Sequence, residues 1–287
     1  MGQTKRKLAL GNTALGGWIM IGHPSVAEIM AGEGFDWIAV DLEHTSTSLH
    51  DLQAIAMALK GSECDLLVRL HSCDAVQAKL VLDIGADGII VPAVNTPAQA
   101  AQAAAIARFP PEGIRGASLC RATDFGRNFK DYFEQHNRKV IVVVMLENHV
   151  GVAQADAILS TPGVDAAFIG PYDLSASMGL AGQLEHADVL AAQQKVLAAC
   201  VRHGVAPGIH VVSTDPDDLK QCLDQGFRFV ACGLDTLFIQ RGCRRMKQPS
   251  GISNGKTTLH PRSDGSPNGE TSPTINNLYD TSRKNTK

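Results

Sequence analysis

Short, uninterrupted apolar runs alternate along the chain with segments whose apolar residues recur at helical spacing. The runs are Gly17 to Ile21, Trp37 to Asp41, Leu66 to Leu70, Gly88 to Pro92, Val140 to Leu146, Ala166 to Ile169, Pro207 to Val212 and Phe229 to Cys232. The helix-like segments are Ser25 to Glu33, Leu49 to Leu59, Ala75 to Leu82, Ala98 to Arg108, Val150 to Leu159, Val189 to His203, Asp215 to Gln225 and Leu234 to Met246. Strands buried on both faces read as continuous apolar runs, and parallel neighbours need a helix between them. About eight such units is the count of a (β/α)8 TIM barrel of the α/β class. A doubly wound sheet would carry a glycine-rich turn after its first strand, and that turn is missing. Gly34, Gly85, Gly163, Gly204 and Gly226 fall near helix ends, where a left-handed cap is expected.

Two stretches break the alternation. Phe109 to Arg138 is far longer than an ordinary connection and reads as a functional loop, with Arg121 its expected anion contact. Residues 248–287 are rich in Ser, Thr, Asn, Gly and Pro and nearly lack large apolar side chains. Such a segment cannot offset its ordering entropy by burial, so a disordered tail is expected after a single catalytic domain spanning 1–247.

Composition narrows the partners. The chain has 287 residues, 44% of them apolar, and a net charge of −3, which offers no electrostatic footing for nucleic acid or an anionic membrane. A small-molecule partner is expected. No apolar run reaches the length of a membrane span, and the start from Met1 to Lys7 is followed by too short an apolar stretch for a signal peptide. The expected location is cytoplasmic. Seven cysteines with no Cys-x-x-Cys pair fit reduced packing thiols.

Barrel enzymes gather their chemistry at the C-terminal ends of the strands. Those ends present Asp41-Leu42-Glu43-His44, then Arg69 and His71, Glu147, Asp173 and His210. Glu147 and Asp173 follow successive runs and would leave the sheet at the same end, where two carboxylates can share a hard divalent cation. Such an ion can act as a Lewis acid on a 2-oxo acid and stabilise an enolate. Arg69 would add charge-assisted donors to the same oxygen, and His44 has a natural pKa suited to acid–base work. No strand end supplies an inward lysine for a Schiff base.

At these same residues the sequence resembles the HpcH/HpaI aldolases, metal-dependent class II pyruvate aldolases of the phosphoenolpyruvate/pyruvate barrel superfamily. The resemblance covers roughly Ala14 to Arg241. It rests on Gly34-Phe35-Asp36-Trp37 leading to Asp41-Leu42-Glu43-His44, Val68-Arg69, Leu82-Asp83-Ile84-Gly85, the segment Pro110 to Gly116, Glu147, and Phe168 to Ser175. It implies Glu147 and Asp173 as metal ligands (Mg²⁺, Mn²⁺ or Co²⁺), and the amides of Tyr172 and Asp173 as a cradle for the substrate carboxylate. It further implies Arg69 at the enolate oxygen, His44 as acid/base, and Asp83 paired with that histidine from a neighbouring subunit or helix. A hexamer that exchanges its last helix, here Leu234 to Met246, is the implied assembly. The implied reaction is reversible cleavage of a 4-hydroxy-2-oxo acid to pyruvate and an aldehyde. The alternatives are Claisen-type chemistry on oxaloacetate and an acyl-CoA, as in siderophore citrate synthases, and a non-catalytic metabolite-binding protein. Leu42 stands where the family often has Gly, and Met145-Leu146 where many members have Gln-Ile. The second departure removes an amide near the keto acid.

Overall fold

The computed structural model describes residues 2–247, and the expected tail, 248–287, lies outside the described residues. One compact unit spans Met1–Arg241. Its strands are β1 (Ala14–Ile19), β2 (Trp37–Asp41), β3 (Asp65–Arg69), β4 (Gly88–Val91), β5 (Ile141–Met145), β6 (Ala166–Ile169), β7 (Ala206–Val211) and β8 (Phe229–Leu234). Each pairs in parallel with the next, and β8 closes onto β1. The expected (β/α)8 barrel is therefore the fold.

Alternation along each strand separates two cores. Trp18, Trp37, Ala39, Leu67, Ile90, Ile141, Val143, Met145, Phe168, Phe229 and Ala231 fill the barrel interior. The other parity, including Val40, Val68, Val142, Val144 and Ile169, packs beneath the helices. Trp37 is fully buried and stacks on Phe229 with ring centroids 4.2 Å apart. Truncating such a side chain costs roughly 3–5 kcal/mol.

Acidic residues just before several strands organise the N-terminal end of the barrel. Asp36 accepts the Leu15 amide (2.9 Å), Asp87 that of Leu66 (2.8 Å), and Asp165 that of Val142 (2.9 Å). Each satisfies a donor that the neighbouring strand leaves unpaired at its start. A helix over Gln3–Ala9, which the apolar pattern does not foretell, plugs this end. Lys7 reaches Asp36 (2.6 Å), Lys5 reaches Asp165 (3.0 Å), and the Thr4 amide donates to Asp65 (2.7 Å). The basic start of the chain is thus a counter-charge to the aspartates.

Two expected elements differ. Val150 to Leu159 forms two short helices, His149–Ala153 and Ala155–Leu159, broken at Gln154. Phe109 to Arg138 is only partly a loop: it contains a 3-10 segment, Arg121–Gly126, and most of the helix Phe129–Lys139. That helix is polar on average, but Phe129, Phe133 and His136 recur at helical spacing; Phe133 and His136 pack on Phe109 (Phe109–Phe133 4.6 Å), and Phe129 stacks on Phe133. All five expected glycine caps have positive φ.

Candidate active site

Beyond the last interior layer, the inward-facing positions turn polar: Asp41 on β2, Arg69 on β3, Glu147 past β5 and His210 on β7. Asp41 is completely buried and is the hub. Its carboxylate accepts from Arg69 Nε (3.1 Å) and Nη2 (2.7 Å), from Trp18 Nε1 (3.1 Å), and from the amides of Glu43 (2.8 Å) and His44 (3.1 Å). Burial pushes its pKa up, but Arg69 above all, with the His44 amide and Trp18, outweighs this and holds it below the usual carboxylate range.

Arg69 is thereby fixed in a bidentate grip, with its guanidinium carbon 5.3 Å from the Trp18 ring centre. Its Nη1 lies 3.1 Å from Glu43 Oε2. Burial raises the pKa of Glu43 against the opposing pull of Arg69. His44 follows in the loop, its side chain largely exposed and its Nε2 3.8 Å from Glu43.

Across the mouth, Glu147 Oε1 accepts the Ala93 amide at 2.7 Å, while Oε2 is buried with no hydrogen-bond donor among the described residues. Ala93 has φ +52, an uncommon conformation for a residue with a side chain. Asp173 sits in the first turn of the helix Pro171–Ser177, which Gly170 caps. A Cβ at Gly170 would lie 2.9 Å from Glu147 Oε2 and 3.6 Å from Asp173 Oδ2, so both carboxylates converge on a space that only glycine leaves open. Burial, then the neighbouring Asp173 and Glu43, push Glu147 up to about 7. An orphaned buried carboxylate oxygen facing a second carboxylate fits a divalent cation, which would relieve both the desolvation and the repulsion. Among the described residues no group of three or more His, Cys, Asp or Glu is assembled that could hold a metal ion, so water and substrate would have to supply the remaining ligands.

Three expected residues take no part in this cluster. Asp83 is in the last turn of the helix Ala75–Ile84, which runs back along β3 to the N-terminal end of the barrel, opposite His44. There it accepts from Arg115 Nη2 at 2.6 Å. Arg121, the expected anion contact of the long loop, donates instead to the Ile84 (2.7 Å) and Ala56 (2.6 Å) carbonyls, closing the ends of two helices. Topology explains this, because a connection from a helix to the next strand must lie at the N-terminal face. His71 is exposed and engages Gln77.

The parts that sequence reasoning left without a role are Trp18, Asp41 and Glu43. Asp41 was visible as an acid closing an apolar run, but its grip on Arg69 depends on the pairing of Asp41 with Arg69 across β2 and β3.

Fold and site together define a barrel enzyme whose carboxylate pair suits a cation and whose fixed arginine suits a negatively charged oxygen. The HpcH/HpaI aldolase/citrate lyase family model matches residues 15–241, and the chain belongs to that family. It is 38% identical over 231 residues to a 5-keto-4-deoxy-D-glucarate aldolase of Klebsiella pneumoniae, covering 80% of this chain and 90% of the relative. A solved HpcH/HpaI aldolase/citrate lyase family protein from Burkholderia cenocepacia superposes with a TM-score of 0.83 at 33% identity, covering 87% of this chain and 99% of the other. A solved citrate synthase, SbnG, superposes at 0.77 with 25% identity over 86% of this chain and 97% of the other. The chain is accordingly an aldolase, a carbon–carbon lyase acting on small molecules. No helix among the described residues is long and apolar enough to cross a membrane.

Proposed function

We propose that the enzyme cleaves a 4-hydroxy-2-oxo acid reversibly to pyruvate and an aldehyde, through an enolate of pyruvate. The relative named for 5-keto-4-deoxy-D-glucarate points to a hydroxylated sugar-acid substrate. The observation that carries the reading is the convergence of the unpartnered Glu147 Oε2 with Asp173 beside Gly170, across the mouth from Arg69. Glu147 and Asp173 would hold the cation, Mg²⁺, Mn²⁺ or Co²⁺, and when bound it supplies Lewis acidity toward the ketone.

The chain's own residues carry the rest. The amides of Tyr172 and Asp173, in the first turn of the helix Pro171–Ser177, would cradle the substrate carboxylate. Arg69, held rigid by Asp41, presents positive charge to the oxygen on which charge develops, without reorganising. His44, at the exposed rim, takes the proton from the 4-hydroxyl as the carbon–carbon bond breaks and returns it in the reverse direction. Asp83 can serve His44 only from a second copy of the chain, which fits assembly into a hexamer. Leu42, which replaces the family's glycine, is buried in the core beneath the helices.

The test is exchange of the pyruvate methyl protons with D₂O, followed by NMR with added Mg²⁺ or Mn²⁺, after chelation, and in Glu147→Ala. Metal-dependent exchange that disappears in the variant is the expected result. If no divalent ion supports exchange, the reading fails, and formation of a citrate from oxaloacetate and an acyl-CoA becomes the reaction to assay.

A further inference from the structure

His210 occupies the inward parity of β7 at the level of the active-site mouth, and nothing in the proposed reaction uses it. Its ring leans on Trp18 (centroids 5.1 Å apart, 31° between planes) and lies 6.3 Å from Phe168. Trp18 is the same indole that donates to Asp41 and underlies Arg69, so the imidazole belongs to the wall that holds the reactive arginine. The register pairs Phe168 with Gly208 and Ile169 with Ile209, which brings His210 level with Gly170, the space that Glu147 and Asp173 share.

The orientation of the ring settles its hydrogen-bonding character. His210 Nε2 lies 3.0 Å from the Gly233 carbonyl oxygen, which can only accept, so Nε2 carries the proton. Gly233 turns that carbonyl toward the ring from a left-handed conformation (φ +66), and a Cβ there would meet the Phe238 ring at 2.7 Å. In the neutral ring Nδ1 is then a bare acceptor, and among the described residues no protein donor meets it. Burial, with the Arg69 charge beside it, pushes His210 down to about 4 even though the Gly233 carbonyl favours protonation, so the ring stays neutral near pH 7. A neutral acceptor repels carboxylate oxygen and ketone oxygen alike, and pairs with a hydroxyl. The residue is only partly buried and sits near the C-terminal, mouth end of β7.

We propose that His210 is a specificity-determining residue whose Nδ1 accepts a hydrogen bond from a substrate hydroxyl on, or next to, a reacting carbon. This rests on the aldolase reading above. The hydroxyl belongs either to the 2-oxo acid half, at the carbon beside the ketone, or to the aldehyde half, at the carbon beside the carbonyl. In both cases the enzyme favours a hydroxylated partner over its deoxy counterpart.

The experiment measures kcat/KM for carbon–carbon bond formation by the full chain with added Mg²⁺ or Mn²⁺, in two arms. One compares 3-hydroxy-2-oxopropanoate with pyruvate against a fixed aldehyde; the other compares glycolaldehyde with acetaldehyde against pyruvate. Wild type, His210→Leu and His210→Asn are assayed, the last because its amide oxygen can replace the Nδ1 acceptor. The quantity read is the ratio of hydroxylated to deoxy substrate, which does not depend on how much active protein each variant retains. The expected result is a wild-type preference in one arm that falls about tenfold in the Leu variant, mainly through KM, and is partly kept by Asn. The arm that responds names the half of the substrate. A wild type without preference in either arm, or a preference that survives His210→Leu unchanged, overturns the assignment while pyruvate proton exchange leaves the aldolase reading standing. A wild type that fails to exchange those protons with any divalent ion removes both.

Discussion

Asp41→Asn keeps the shape of the hub and removes its charge. Five donors meet the wild-type carboxylate: Trp18 Nε1, two nitrogens of Arg69, and the amides of Glu43 and His44. Asparagine offers one acceptor oxygen, and its NH₂ must face donors whichever way it is flipped. The less damaging flip keeps Arg69 Nε and the two amides, and turns the NH₂ onto Trp18 Nε1 and Arg69 Nη2. Two buried donors are then orphaned, one on a guanidinium that has lost its main counter-charge. Breaking a buried pair in this way costs roughly 3–5 kcal/mol, and Glu43, 3.1 Å from Arg69 Nη1, keeps the cost at the lower end. For a unit of this size about 3 kcal/mol corresponds to a fall in Tm of roughly 6–12 °C. The assay is thermal unfolding followed by circular dichroism from about pH 7 down to about pH 3. Because Asp41 is depressed in the folded state, its stabilisation is fully present above the unfolded carboxylate pKa and is lost as pH falls through the folded value. The gap between wild type and variant should therefore close in acid. A fall in Tm of less than about 3 °C at neutral pH, or a gap that ignores pH, would refute the hub argument.

Three further outcomes are expected. Gly170→Ala should weaken Mn²⁺ binding at least about tenfold by isothermal titration, because the new Cβ would crowd Glu147 Oε2 at 2.9 Å; unchanged affinity would mean that the cation binds elsewhere. Arg121→Ala should lower stability to urea by roughly 1–3 kcal/mol through two unsatisfied helix-end carbonyls, with the KM for the 2-oxo acid within about twofold of wild type; a large rise in KM would restore Arg121 to the substrate site. Deleting residues 2–9 should lower the Tm by a few degrees, and by a smaller margin in about 1 M salt, since Lys5–Asp165 and Lys7–Asp36 contribute partly by charge. A salt-independent loss would assign the plug to packing alone.

What the sequence determined by itself was the barrel and the candidates at its mouth. A doubly buried parallel strand must be apolar throughout, so Trp37 to Asp41 or Ala166 to Ile169 could be read without knowing their neighbours. An acid that closes such a run, as Asp41 does or as Glu147 does just past β5, stands out for the same reason. The helix Phe129–Lys139 was lost because its apolar stripe is thin and aromatic, and packs on one short segment around Phe109. Tertiary structure alone decided which candidates meet. Strand pairing set Asp41 beside Arg69, a glycine too close to two carboxylates brought Glu147 and Asp173 together, and a carbonyl turned by Gly233 fixed the face of His210. It also carried Arg121 and Asp83 to the opposite end of the same barrel, tens of residues from His44 in sequence and a full strand length away in space. Periodicity reports the environment of a residue, buried or exposed, whereas chemistry depends on the distance between residues remote in sequence, and only the closed sheet fixes that.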